Sequence, residues 1–78
     1  MRRTFMDDQF DEWEAFVSGG QPGGSLSARV MFVCVSSPQR APRFVRHSSG
    51  DPAEAEHSLF HMDDPALLEL FQSSEPLP

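Results

Sequence analysis

Apolar and polar residues alternate from Glu12 to Val17, with Trp13, Ala15 and Val17 on one parity and Glu12 and Glu14 on the other. That period of two is the signature of a half-buried strand. Phe10, Trp13 and Val17 also recur at helical spacing, so a short amphipathic helix over residues 8–17 competes with the strand. Arg2 to Phe5 and Phe10 to Ser18 flank Met6-Asp7-Asp8-Gln9, which has the length and polarity of a hairpin connection. Four glycines and a proline between Ser18 and Ser25 then break regular structure. Leu26 to Val35 follows as the clearest strand, rich in β-branched and aromatic residues and apolar on both faces near its end, which places it inside a sheet. Ser36 to Pro42 carries turn chemistry, and Phe44 to His47 pairs back as a short strand. Pro42, Arg43 and Arg46 suit that strand to an edge.

Beyond Gly50 the pattern becomes helical. Asp51 is placed to cap, Pro52 fits the first helical position, and Glu54 stands three residues past the cap. Ala55, Leu59 and Met62 share one side of this segment; a second start signal follows, with Asp64 as cap and Pro65 leading into Ala66 to Gln72. The stripes containing Leu59, Phe60, Leu67, Leu68, Leu70 and Phe71 need a surface to cover, and the inner face of the sheet supplies it. The expected fold is therefore α+β, a small antiparallel meander of three to four strands followed by two short C-terminal helices. Residues 1–72 are expected to form a single small domain, and residues 73–78 a disordered tail.

At 78 residues the chain offers a core of about a dozen side chains to offset roughly 1–2 kcal/mol of backbone entropy per residue. Only 38% of the residues are hydrophobic, but they cluster, which favours a folded centre with loose ends. The single cysteine, Cys34, has no internal partner and stands among Val33 and Val35, so it reads as a small core hydrophobe in a cytoplasmic protein. Arg2 and Arg3 are followed by acids before any apolar stretch, which fits neither a secretory nor a twin-arginine leader. The longest apolar run, Val30 to Val35, is far short of the ~20 residues a bilayer-spanning helix needs, so no membrane association is expected.

A resemblance accompanies these patterns. Arg3-Thr4-Phe5 with Asp7, Trp13-Glu14-Ala15 with Ser18-Gly19-Gly20, the apolar strand Val30 to Val35, and Leu59 through Leu70 with Met62-Asp63-Asp64 and Leu67-Leu68 resemble a type of short bacterial protein of about this length. The resemblance spans most of the chain and implies a bacterial cytosolic origin; it carries no activity.

Charge is strongly sorted. Residues 29–46 hold Arg29, Arg40, Arg43 and Arg46 and no acid, whereas residues 47–78 hold seven acids and no Lys or Arg. The net charge of −6 opposes long-range attraction to nucleic acid or anionic lipid. Locally, Arg40, Arg43 and Arg46 around the proline turn either pair with acids of the helices, or keep an edge strand from pairing with another chain, or bind an acidic protein surface, with nucleic acid as an alternative ligand. Leu67 and Phe71, on a helix whose apolar arc is wide, are candidates for contact with a protein partner or a homodimer. His57 and His61 share a helical face with Glu54 one turn earlier, the spacing of a possible metal site. The order His-Ser-Leu-Phe-His lacks the glutamate base of a zinc hydrolase. The glycine-rich segment lacks the Gly-Lys-Ser/Thr ending of a phosphate loop. Serines are too plentiful to single out a nucleophile and Cys34 reads as structural, so the chain is expected to be non-catalytic, without a cofactor, and to act as a protein-interaction or regulatory module.

Overall fold

Of residues 8–17, where strand and helix compete, those from Glu12 onward form a strand and none is helical. The computed structural model describes residues 2–19, 28–47 and 51–77. Within them the order is β1 (Arg3–Met6), β2 (Glu12–Ser18), β3 (Arg29–Cys34), β4 (Arg43–Arg46), α1 (Pro52–His61), α2 (Asp64–Gln72) and β5 (Glu75–Pro76). The strands lie side by side in chain order, each antiparallel to the next, with β3 in the middle. This is the expected α+β meander followed by two helices, extended by one short strand. Most of the glycine-rich break, and the expected start of the third strand at Leu26, lie outside the described residues.

Alternation sorts the sheet into two faces. Trp13 and Ala15 of β2 and Val30, Phe32 and Cys34 of β3 are buried on the inner face, where Leu59 of α1 and Leu67 and Phe71 of α2 cover them. Phe71 is the centre of this core: its ring centroid lies 4.7 Å from that of Trp13 and 5.4 Å from those of Phe5 and Phe32. Burying each large apolar side chain contributes roughly 1.5–3 kcal/mol, and tilted or edge-on ring pairs add to it. Leu67 and Phe71, the candidates for contact with a partner, are thus 0% and 8% exposed and lie in the core. The wide arc of α2 is absorbed by the sheet, with Leu68 and Leu70 partly buried at its flanks.

Helix α1 starts as its sequence dictates, with the Asp51 side chain accepting from the Ala53 amide at 2.9 Å. Helix α2 is capped one residue earlier than expected: Asp63 accepts from the Ala66 amide at 2.9 Å, and Asp64 is the first helical residue. Arg3, pointing to the helix side from β1, fixes this break. Its guanidinium donates to the carbonyls of Leu59 (2.9 Å) and Met62 and to Asp64 Oδ1 at 2.8 Å. A cation there satisfies carbonyls left open at the end of α1 and complements its dipole.

The expected disordered tail is structured as far as it is described. Ser74 is buried, Glu75–Pro76 pair with β4, and the Leu77 amide donates to the Pro42 carbonyl at 2.9 Å. Arg43 holds this segment, donating to Ser74 Oγ at 2.8 Å and to the Ser74 carbonyl. Phe10, expected in the second strand, sits instead in the β1–β2 turn at φ 65°, 81% exposed.

Candidate interaction surface

The three arginines proposed to recognise a partner meet different fates. Arg40 reaches back to the β1–β2 turn, donating to Asp7 Oδ2 at 2.9 Å and to Asp11 Oδ2 at 2.6 Å, while its guanidinium carbon lies 4.9 Å from the Trp13 ring centre. The Asp7 carboxylate, 2% exposed, also accepts from the Trp13 indole at 2.8 Å and from the amides of Gln9 and Asp11 at 2.9 Å each. Ser36 and Ser37 donate to Asp11 Oδ1 at 3.1 and 3.0 Å. The arrangement ties the β1–β2 turn to the β3–β4 turn across the end of the sheet. Burial would push the Asp7 carboxyl up, but the indole, the two amides and Arg40 together hold it below the ordinary carboxylate range. Arg40 and then Ser37 and Ser36 lower Asp11, and Asp11 chiefly raises Arg40. Every charge in this cluster has an internal partner, so Arg40 is a fastener and not a free recognition group. Arg43 is likewise engaged, by Ser74 and over the Phe71 ring at 5.9 Å. Arg46 alone of the three is exposed without an ion pair among the described residues.

His57 and His61 lie on the exposed flank of α1 with their rings stacked, centroids 4.0 Å apart, and His61 Nδ1 stands 2.8 Å from the His57 carbonyl. Among the described residues no three His, Cys, Asp or Glu side chains gather to hold a metal ion, so Glu54, His57 and His61 are not brought together as a ligand set. No buried side-chain nitrogen or oxygen among the described residues lacks a hydrogen-bond partner, so no polar group of theirs is aimed into a vacant site.

The surface that the sequence reading missed is the other face of the sheet. Pairing places Phe16 opposite Met31 and Met31 opposite Phe44, so these three side chains form one row across β2, β3 and β4. All three are half-buried, none belongs to the core, and no described helix covers them. Val33 lies two residues along β3, and Met6 and Val35, 57% and 43% exposed, flank Glu12 at the end of the same face. Arginines lie over the row from both sides: Arg2 stands 4.9 Å from the Phe16 ring centre and Arg29 stands 5.4 Å from that of Phe44. Arg2 also donates to Glu14 Oε2 at 2.9 Å. The signal was present in the sequence as apolar residues on both parities, Phe16 among the glutamates of β2 and Met31 and Val33 between the core positions of β3. Only the strand register shows that they are neighbours.

Among the described residues no helix is long and apolar enough to cross a membrane. Compared with known proteins, the chain gives no significant match to a family model, a curated protein or a solved structure.

Proposed function

We propose that the protein is a non-catalytic protein-interaction module, acting as a small binding or regulatory unit whose docking surface is the outer face of the sheet. The observation that carries this reading is the row Phe16, Met31 and Phe44, set directly across three strands on a face no described helix covers. Covering such half-buried side chains contributes roughly 1 kcal/mol each, and aromatic residues ringed by arginine are what the centres of protein interfaces are enriched in. A cytoplasmic setting, bacterial by the residue pattern, fits the buried unpaired Cys34.

Other classes have less to stand on. Asp7 and Asp11 are fully engaged by hydrogen-bond donors, which leaves neither placed to work as an acid or base. Nucleic acid would meet Glu12 and Glu14 on the outer face and a net charge of −6. The test is capture from a bacterial lysate by tagged wild-type protein, by Met31→Lys and by Arg40→Ser. Proteins held by the wild type should be lost with Met31→Lys and kept with Arg40→Ser. An unchanged set with a folded Met31→Lys variant would refute the outer face as the docking surface.

A further inference from the structure

Resting on that reading, we infer that the occupant of the outer face is a second copy of this chain, packed sheet to sheet about a two-fold axis. Along the strands the face divides into three bands. Glu12 and Glu14 lie toward the β1–β2 turn, the row Phe16, Met31 and Phe44 lies in the middle, and Ser18, Arg29 and Arg46 lie at the far end. Arg29 and Arg46 are direct cross-strand partners. Like charges so placed repel each other, and the acid beside them on this face is Glu75, opposite Phe44 and two residues along from Arg46, which makes no ion pair with either. Neither arginine makes an ion pair among the described residues, and neither does Glu12.

A two-fold axis running across the strands through the Phe16, Met31 and Phe44 row resolves this. It lays the apolar band on itself and reverses strand direction, so the basic band of each copy falls on the acidic band of the other. Each Arg29 then stands about one strand spacing, ~4.8 Å, to the side of Glu14 of the other copy, across the ~10 Å gap between packed sheets, which both side chains reach into. In this arrangement Arg29 lies over Val33 and beside Glu14 of the other copy, and the exposed Glu75 side chains, opposite Phe44 at the edge of the row, face each other across the axis. It spans about 20 Å along the strands and about 20 Å across them, an area at the small end for specific association, so the dimer is concentration-dependent and salt-sensitive. A base-stacking ligand fits less well, because Phe16 and Phe44 already carry their own arginines and the acidic band repels phosphate.

The experiment is sedimentation velocity at low salt from about 10 μM to about 1 mM on the wild type, Arg29→Glu, Glu14→Arg and an equimolar mixture of the two variants. All are first checked for folding by circular dichroism. The wild type should dimerise as concentration rises, and each single variant should weaken this by about tenfold or more, because each meets two like-charge contacts. Mixing the variants should restore the dimer, since the glutamate introduced by Arg29→Glu then faces the arginine introduced by Glu14→Arg on one side of the axis, and the native pair is kept on the other. A wild type that stays monomeric throughout overturns the inference, as does a dimer that both variants retain. Retention of a labelled single-stranded oligonucleotide by a monomeric wild type overturns it in favour of nucleic acid. A monomeric wild type whose lysate partners are still lost with Met31→Lys leaves the interaction-module reading standing, so the two failures are distinguishable.

Discussion

Replacing Asp7 by alanine removes the acceptor of four hydrogen bonds at once, from the Trp13 indole, the amides of Gln9 and Asp11, and Arg40. Trp13 is 0% exposed, so its N–H is left without water or partner, which costs about 1–3 kcal/mol. The two amide bonds are only part-buried, and losing them costs roughly 0.5–1 kcal/mol each. The sum is about 3 kcal/mol. A domain of this length is stabilised by roughly 4–12 kcal/mol, so the variant should lose a large part of its stability. Asp7→Asn keeps one acceptor oxygen for the two amides but turns an NH2 toward the indole or the guanidinium, and should cost about 2 kcal/mol. Urea unfolding followed by tryptophan fluorescence is the assay, and Trp13, the only tryptophan, reports from the site itself. Destabilisation below about 1 kcal/mol for Asp7→Ala would refute the claim that this carboxylate holds the two turns together. Pairing it with Trp13→Phe in a double-mutant cycle separates the indole bond from the rest.

The same cluster sets an acid limit. Asp7 and Asp11 both titrate lower when folded than the ~3.9 of an unfolded aspartate, so their contribution is complete above that value and is lost as pH falls through the folded values. Urea midpoints measured from about pH 6 to about pH 2 should therefore drop at the acid end, and less steeply in Asp7→Asn. Arg43→Gln should loosen β5 while leaving the core intact; amide exchange at Leu77, bonded to Pro42, should quicken by about tenfold with Phe32 unchanged. Phe10 stands at positive φ with 81% exposure, so Phe10→Asn should raise stability by about 0.5–1 kcal/mol, and a loss would show that its ring is held by the fold.

Most of the fold was legible because its signals are local. Period two in Glu12 to Val17 and the Asp51-Pro52 start each act within a few residues. The one-residue shift of the second cap comes from Asp63 and Asp64 being equivalent as sequence, until Arg3 engages Asp64 and leaves Asp63 to cap. The candidate site was not legible, because its determinants are distant. Internal pairing of the arginines was open to the sequence but its partners were not, because Asp7 lies 33 residues before Arg40 and Ser74 lies 31 residues after Arg43. Strand β5 has two residues, one of them a proline, and carries no propensity signal. Much of the sorted charge is consumed by these internal pairs and by helix starts; of the arginines, Arg29 and Arg46 remain, on the outer face next to a row of side chains drawn from three strands.

That two copies meet through this outer face is tested most directly by limited peroxide oxidation over a protein dilution series, with each methionine quantified by mass spectrometry. Met31 lies in the middle of the outer face, whereas Met62 packs on the helix side and serves as the internal reference. Met31 oxidation should slow as protein concentration rises while Met62 oxidation keeps its rate. Equal rates for Met31 at every concentration, or protection of Met62 in its place, would contradict self-association through this face.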